Sequence, residues 1–522
     1  MNSHRFFIIT KIALAAIILA GFAVINMRLI DPDLGWHLKT GEEILQTYAL
    51  PAPDHFSNTA PGTPWVDHEW VIEALWAWFL LHNAWWVVVA LFTLLAFCPF
   101  LLWFVRARSF ASLWLVFISA ASVTPFIGIR AQIISFALFF LAFELFHRFF
   151  ITERKKKYLW WFVPIMFVWT NLHAGFFIGL ALLGIFIAGD AIALYLKEKR
   201  VSLKQAFFPG VIFLSGFAVT FLNPYTWRYY KFIVENLGSS DIMHYISEFQ
   251  PIYGYFNSSI IALTGIALIL GMRFYKTYPF PVLFVAAVFL AFSFKSARNW
   301  PLFIITAQPF LSGGIAYLSQ EIREAHKRKP FLPKTVSRLR IVSIGMFVVV
   351  ISFFSYKIIT YTGVPMPEQA SVFLQEQYTK DALRKTVLFN SYEWGGWLIQ
   401  NVPDLKVFID GRMPYWKTSA GRPLLGDYLT FFKNDGKERE ELLDRYGITM
   451  IMLRRVPPRN SGDDFWKTHI PQSMQESMRT MFLFKKIHTW TADEPFEDIE
   501  QWLPEHGWNL VYQDGLTVIF VK

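Results

Sequence analysis

The feature that most limits what this chain can become is a succession of long apolar runs separated by short basic loops. The first covers residues 6–27, just after Arg5. Others follow at 84–105, 110–124, 131–149, 158–171, 174–194, 207–222, 258–272, 278–294, 301–318 and 341–359. A straight helical crossing of a bilayer takes about 20 apolar residues, so the shorter runs leave a count of about eleven spans good to one or two. The composition agrees: 54% of residues are hydrophobic, 18% are aromatic and only 17% are charged. The chain is therefore read as a polytopic α-helical membrane protein. The first run shows no A-x-A cleavage signal and is followed by many more, so it is read as a retained helix.

A net charge of +10 would point to nucleic acid in a soluble protein. Here the basic residues sit in loops, where they set orientation. With the N-terminus in the cytoplasm, the inner loops hold Arg106, Arg108, Arg148, Arg154, Lys155, Lys156, Lys157, Lys197, Lys199, Arg200, Lys204, Arg273, Lys276 and the segment 323–340. The opposite loops hold only Arg28, Lys39, Arg130, Arg228, Lys231, Lys295 and Arg298. That asymmetry puts the opening loop 29–83 and the C-terminal region on the extracytoplasmic side of a plasma membrane. No nucleic-acid partner is expected. The single cysteine, Cys98, excludes an intrachain disulfide and a Cys-based metal site.

From about residue 363 the pattern changes to that of a soluble α/β domain, so the chain divides into 1–362 and 363–522. Val387-Leu-Phe-Asn, Lys406-Val-Phe-Ile-Asp and Ile448-Thr-Met-Ile-Met-Leu read as strands, and 438–446 as a helix. Asp514-Gly515 between two alternating runs is a hairpin signal.

The polar residues at the outer helix ends are few and chemically unusual. Residues 31–41, Asp-Pro-Asp-Leu-Gly-Trp-His-Leu-Lys-Thr-Gly, are read as a loop that leads into a short helix around Glu42-Glu43-Ile44-Leu45. Trp65-Val-Asp-His-Glu-Trp70 precedes an interfacial helix over 69–81. Further on come Ile129-Arg-Ala-Gln, Asn171-Leu-His-Ala-Gly, Asn223-Pro-Tyr, Glu248-Phe-Gln-Pro and Lys295-Ser-Ala-Arg-Asn. Carboxylates beside a bilayer are costly unless solvated or used. These groups are expected to line one hollow, with acids on one wall and Arg130, His173, Lys295 and Arg298 on the others.

The motifs D-P-D-x-x-W-H-L-x-x-G, D-H-E-W, W-x-N-x-H-x-G (Trp169 to Gly175), N-P-Y (Asn223 to Tyr225) and R-N (Arg298-Asn299) resemble the bacterial branch of the GT-C superfamily. Trp394-Gly-Gly-Trp-Leu398 and Phe408-Ile-Asp-Gly-Arg412 resemble a C-terminal segment found in that branch. Its members are polytopic glycosyltransferases that use polyprenyl-phosphate-linked sugars, among them protein O-mannosyltransferases and aminoarabinose transferases. The resemblance implies a GT-C-like membrane domain with a C-terminal extracytoplasmic α/β domain. It implies transfer of a hexosyl or pentosyl group to an envelope glycan, lipid or protein acceptor, with inversion at the sugar carbon.

The family's acidic residue in the first outer loop maps best onto Asp31, with Asp33 able to share the role. In this reading Asp31 takes the acceptor proton. Arg130 and Arg298 meet the leaving lipid phosphate, backed by Lys295 and His173. Trp36, His37, Asp67, His68, Glu69, Trp70, Asn171 and Asn223 are candidates for contacting substrate. No cofactor is demanded. A divalent metal could sit on Glu69 and His37 with an Asp, although the loop near Arg130 lacks the second acidic motif of metal-dependent members.

Each residue also has a plainer reading. Asp31 and Asp33 can end a helix and make a turn. Asp67-His68-Glu69 can cap the next helix, and His173 can be an interhelical hydrogen-bonding residue. Asn223-Pro224 can stop a helix, and Asp410-Gly-Arg412 can be a strand-end turn with a local ion pair. Two other functions compete: a flippase for lipid-linked saccharide, which would need polar groups near mid-bilayer, and a non-catalytic envelope-assembly scaffold.

Overall fold

The structure, a computed structural model, describes residues 3–29, 31–51, 53–200, 202–237, 249–252, 258–328, 364–414, 416–418, 421–432, 436–455 and 496–522. Its helical part runs α1 (Ser3–Arg28), α2 (Leu34–Thr47), α3 (Trp70–Leu81), α4 (Trp85–Arg106), α5 (Phe110–Val123), α6 (Gln132–His147), α7 (Phe162–Leu172), α8 (Phe176–Glu198), α9 (Leu203–Val219), α10 (Trp227–Leu237), α11 (Ser258–Phe274), α12 (Phe280–Lys295) and α13 (Trp300–Arg328). Every apolar run up to residue 318 falls on a helix. The run at 341–359, the domain boundary near 362 and Glu248 lie outside the described residues. Five helices are long and apolar enough to cross a membrane, and α3, α5, α9, α11 and α12 are shorter apolar helices.

Aromatic side chains fill the space between the helices. Phe92 and Phe100 of α4, Phe117 of α5, Phe139 of α6, Phe186 of α8 and Trp300 of α13 are fully buried. The indole of Trp300 donates to Ser122 Oγ at 3.0 Å, which satisfies a polar atom that burial would otherwise leave costly. The charges expected near inner helix ends pair at the end away from Asp31. Arg106 holds Glu144 bidentately at 2.8 Å. Asp190 takes Arg154 and the Gln205 amide, the latter at 2.8 Å.

The C-terminal region contains a four-stranded sheet in the order β1-β2-β4-β3, with β1 Leu388–Asn390, β2 Met450–Arg454, β3 Asn509–Gln513 and β4 Thr517–Val521. β1 and β2 are parallel; β2 with β4 and β3 with β4 are antiparallel. The hairpin turns at Asp514, whose Oδ1 accepts from the backbone of Leu516 and Thr517 at 2.7 and 2.6 Å. Residues 436–446 are helical, close to the expected bounds.

Two expectations need correction. Only Asp31 to Asp33 form a turn; the chain is already helical from Leu34. Trp36, His37, Leu38, Thr40 and Gly41 are buried there, and this inward face makes α2 start eight residues before the expected helix. The segment 406–410 is not a sheet strand either. It makes one parallel bridge, Val407 to Ser57 of the opening loop. The side chain of Asn390 replaces the missing ladder, accepting from Phe408 N at 2.8 Å and donating to Ile409 O at 2.9 Å.

That bridge joins the two ends of the chain. Val407 N donates to Phe56 O, and Asn58 N to Val407 O. Asn58 Nδ2 reaches Leu388 O at 3.1 Å across 330 residues of sequence. Thr59 Oγ1 donates to Phe408 O at 2.6 Å. Phe56, Ala60 and Trp65 pack into the same apolar cores as the sheet. The middle of the opening loop thus packs into the C-terminal core.

Candidate active site

Asp31 and Asp33 flank the turn into α2. The backbone N–H of Asp33 donates to Asp31 Oδ1 at 2.9 Å. Asp31 Oδ2 pairs with Nε of Arg130, from the turn that precedes α6. Asp33 occupies the N-cap position of α2 but makes no side-chain cap bond. It borders the cavity described below and is half-buried there. Partial burial, together with the charges of Asp31 and Asp410, pushes its carboxyl up to about 8, against the pull of Trp36 and Arg130.

Behind the acids, three imidazoles converge on Glu69. Trp169 Nε1 donates to Ser135 Oγ at 2.6 Å, so the Ser135 hydroxyl hydrogen is free for His173 Nδ1 at 2.7 Å. Gly175 N donates to the same nitrogen at 3.0 Å. His173 therefore carries its proton on Nε2, which points at Glu69 Oε1, 3.4 Å away. The W-x-N-x-H-x-G motif thus has a structural reason. Trp, His and Gly all meet at Ser135, where a methyl on Gly175 would collide with the hydroxyl.

His68 lies between two acceptors, Val66 O at 3.4 Å and Glu69 Oε1 at 3.2 Å. Burial resists its charging, but Glu69 and Asp67 prevail and raise its pKa. His37 Nδ1 is 2.6 Å from Glu73 Oε1, and its Nε2 is 3.4 Å from Glu69 Oε2. Burial pushes His37 down to about 4 and His173 down to about 3, against the pull of Glu69. Burial, Asp67 and Glu69 hold the Glu73 carboxyl well above the usual range, and it meets Asp67 as well as His37 Nδ1. Burial opposes ionisation of Glu69, but N–H groups of His37, His68 and His173 surround it and draw it below the usual range. The result is Glu69 ringed by three imidazoles, with His68 drawn toward its charged form and His37 and His173 toward their neutral forms.

This arrangement gives a pH dependence. A histidine whose folded pKa is depressed binds its proton more readily when unfolded, so folding stability rises with pH in that window. Lowering the pH from about 6.5 toward 3–4 should therefore reduce the melting temperature through His37 and His173. In His173→Gln the fall should be shallower, as thermal unfolding across that range would show.

Asp31, Asp33, Trp36, His37, His68, Glu69, Arg130, His173, Lys295 and Arg298 line one cavity of about 620 Å³. Its lining also includes the apolar side chains of Phe126, Ile127, Phe136, Phe177, Ile178, Phe289 and Phe292. Lys295 ends α12 and Arg298 follows in the next turn, its guanidinium 4.7 Å from the Phe249 ring centre.

Four expected substrate-contacting residues do not line this cavity. Asp67 lies behind it, accepting from Glu69 N at 3.2 Å. Trp70 starts α3. Asn171 donates to Phe167 O and Leu222 O at 2.9 and 3.1 Å. Asn223 Oδ1 takes the N–H groups of Tyr225 and Thr226 at 2.8 and 2.9 Å, the geometry of a helix stop.

Conversely, Ser135, Tyr392 and Glu393 line the cavity without having been singled out for it, and Gly411 and Arg412 of the Asp410–Arg412 turn line it as well. Glu73 joins the cluster one turn after Glu69, a spacing that puts both on one helix face. The Asp410–Arg412 turn is buried, and Arg412 Nη1 reaches Asp54 Oδ1 at 2.9 Å as well as its neighbour Asp410.

The ligand atoms of His37, Glu69 and Glu73 lie within 4.8 Å of one another. Glu73 Oε2 is buried beside Asp67. The trio has the donor set for a divalent ion, which would be held by these three. The second carboxylate beside His37 and Glu69 is Glu73, where an Asp was expected.

No protein-family model matches the chain, and no curated protein sequence does. Solved structures do. The archaeal oligosaccharyltransferase AglB from Archaeoglobus fulgidus, in complex with an inhibitory peptide and a dolichol-phosphate, superposes with a TM-score of 0.53. Identity is 12%, over 87% of this chain and 70% of that one. The apo form of the Archaeoglobus fulgidus oligosaccharyltransferase gives 0.54 at 10% identity, over 85% and 69%. The chain shares the fold of the oligosaccharyltransferase. ArnT from Cupriavidus metallidurans, bound to undecaprenyl phosphate, matches over 98% of this chain and 97% of that one at 12% identity, with a TM-score of 0.47. In this fold the cavity lies where α6, α8 and α12 meet the opening loop and the C-terminal region.

Proposed function

We propose that the protein is a membrane glycosyltransferase that moves a sugar from a polyprenyl-phosphate donor to an envelope glycan, lipid or protein acceptor on the extracytoplasmic face. The observation that carries this reading is the lining of one cavity, which brings Asp31 and Asp33 together with the cations Arg130, Lys295 and Arg298 and with apolar side chains such as Phe289 and Phe292, and in which Arg130 pairs with Asp31. A lipid phosphate suits the cations and its chain suits the apolar side chains. AglB, which shares the fold, was solved with a dolichol-phosphate and a peptide, a donor-like lipid and an acceptor-like chain.

Asp31 accepts the proton of the acceptor hydroxyl as the oxygen attacks the anomeric carbon. The bond from that carbon to the phosphate oxygen breaks, and the phosphate leaves with its electron pair toward Arg130, Lys295 and Arg298. Attack opposite the leaving group inverts the sugar carbon. His173 and His68 hold Glu69 and line the cavity behind the acids. A divalent ion on His37, Glu69 and Glu73, when bound, would supply a fixed positive charge there.

The test is transfer from synthetic polyprenyl-phosphate sugars by the purified protein in vesicles, with mass spectrometry of envelope glycans and proteins from cells with and without it. Binding of a polyprenyl phosphate should weaken by about 10- to 100-fold in Arg298→Ala, the loss of one charge-assisted contact. Unchanged binding in Arg298→Ala, Lys295→Ala and Arg130→Ala would remove the phosphate site and with it this function.

A further inference from the structure

Arg298 sits in the short turn between α12 and α13, and the backbone of that turn is held on both sides. Ala297 before it and Trp300 after it are fully buried. The turn closes through Ser296 N to Phe292 O at 2.8 Å and Asn299 N to Ser296 O at 3.1 Å. The backbone at Arg298 is therefore fixed, while its side chain is long and rich in rotamers, which a ligand has to freeze on binding.

A second outer segment meets that side chain. Phe249, from the stretch between α10 and α11, has its ring centre 4.7 Å from the Arg298 guanidinium, inside the range of cation–π attraction. The segment that carries Phe249 is pinned twice. Ala297 N donates to Gln250 O at 2.7 Å, and Ile252 is buried in the helical core. Phe249, Arg298 and Asn299 all line the cavity. A ring attracts a guanidinium without cancelling its charge. Arginine takes a phosphate through N–H donors in the guanidinium plane, and a cation–π contact consumes none of them.

We propose that Phe249 is a positioning residue for Arg298: its ring fixes the guanidinium in the cavity for a lipid phosphate, so that the segment before α11 takes part in binding the donor. This rests on the reading of the cavity as a polyprenyl-phosphate site. The contact requires an aromatic ring at residue 249, and apolar bulk alone does not replace it.

The experiment measures binding of farnesyl phosphate to the full-length protein in nanodiscs, with farnesol as the probe that lacks the phosphate. Phe249→Leu keeps an apolar side chain and removes the ring. It should weaken farnesyl phosphate binding about 3- to 10-fold and leave farnesol binding unchanged. Phe249→Tyr, which keeps the ring, should bind as wild type does. In an Arg298→Ala background, Phe249→Leu should cause no further loss, whereas in a Lys295→Ala background it should still cause its full loss. Should Phe249→Leu melt as an unfolded protein, Phe249→Met is the second ringless variant, with the same expectations. The proposal is overturned if the ringless variant binds farnesyl phosphate like wild type, or if Phe249→Tyr loses as much as it does. It is also overturned if farnesol binding falls equally, since the ring then serves the chain, or if the loss persists in full without Arg298. Each of these results leaves the phosphate site standing. If wild type takes up no farnesyl phosphate at all, that site falls and this role of Phe249 falls with it.

Discussion

Replacing Asp31 by Asn should lower sugar transfer about a thousandfold while leaving the protein folded. The size follows from the role. An amide cannot take the acceptor proton, and a positioned general base contributes about 10²- to 10⁴-fold. The fold should survive for local reasons. An Asn oxygen can still accept the Asp33 N–H now held by Asp31 Oδ1. Arg130 loses an ion pair, but its side chain is 24% exposed, and a pair that open to solvent is worth about 1 kcal/mol or less. Transfer rates and thermal unfolding measured on the same preparation check both halves. Transfer within about threefold of wild type would show that Asp31 is not the base. Asp33→Asn should cost less than Asp31→Asn, because an amide resembles the neutral carboxyl toward which the raised Asp33 pKa points.

The sequence carried the parts of this protein that depend on local pattern. Apolar runs mark helices because a helix meant for a bilayer needs little besides length and hydropathy, and the runs up to residue 318 coincide with helices. Asp31, Arg130, His173, Lys295 and Arg298 could be expected to meet because charges at helix ends are costly without a use. What stayed hidden depends on contacts across hundreds of residues. Ser135 sits in an apolar run like any small residue, and only the folded chain brings Trp169 and His173 to it. The segment 406–410 has strand composition, but its partners are Asn390 and the opening loop, which no periodicity announces. Asn171 and Asn223 looked like substrate contacts for the opposite reason: an amide near a helix end has the same signature whether it binds a ligand or stops the helix.

The Asp410–Arg412 turn leads to the largest expected effect on stability. Arg412→Ala should destabilise the protein by about 3–5 kcal/mol. The Arg412 side chain is 1% exposed, and those of Asp54 and Asp410 are 0% exposed. Its Nη1 is 2.9 Å from Asp54 and its Nη2 is 2.6 Å from Asp410. Aromatic rings of Phe56, Trp65 and Trp416 lie 4.9–5.4 Å from the guanidinium. Removing the cation leaves two buried carboxylates with their charge uncompensated, which costs far more than the attraction lost at a surface pair. They keep hydrogen bonds from the Ser57 hydroxyl and backbone N–H at Asp54 and from the backbone N–H of residue 412 at Asp410. Arg384→Ala is the control. Arg384 pairs with Asp404 at 2.8 Å, the same chemistry, but its side chain is 61% exposed, so the loss should stay within about 1 kcal/mol. Arg412→Lys should fall between, since an ammonium keeps the charge but cannot bond both acids in the guanidinium's planar geometry. Unfolding followed by tryptophan fluorescence would separate the three, because Trp65 and Trp416 flank the site. Equal melting of Arg412→Ala and Arg384→Ala would mean that burial of this cluster adds nothing, and that the opening loop is held to the C-terminal region by its backbone bonds and apolar contacts alone.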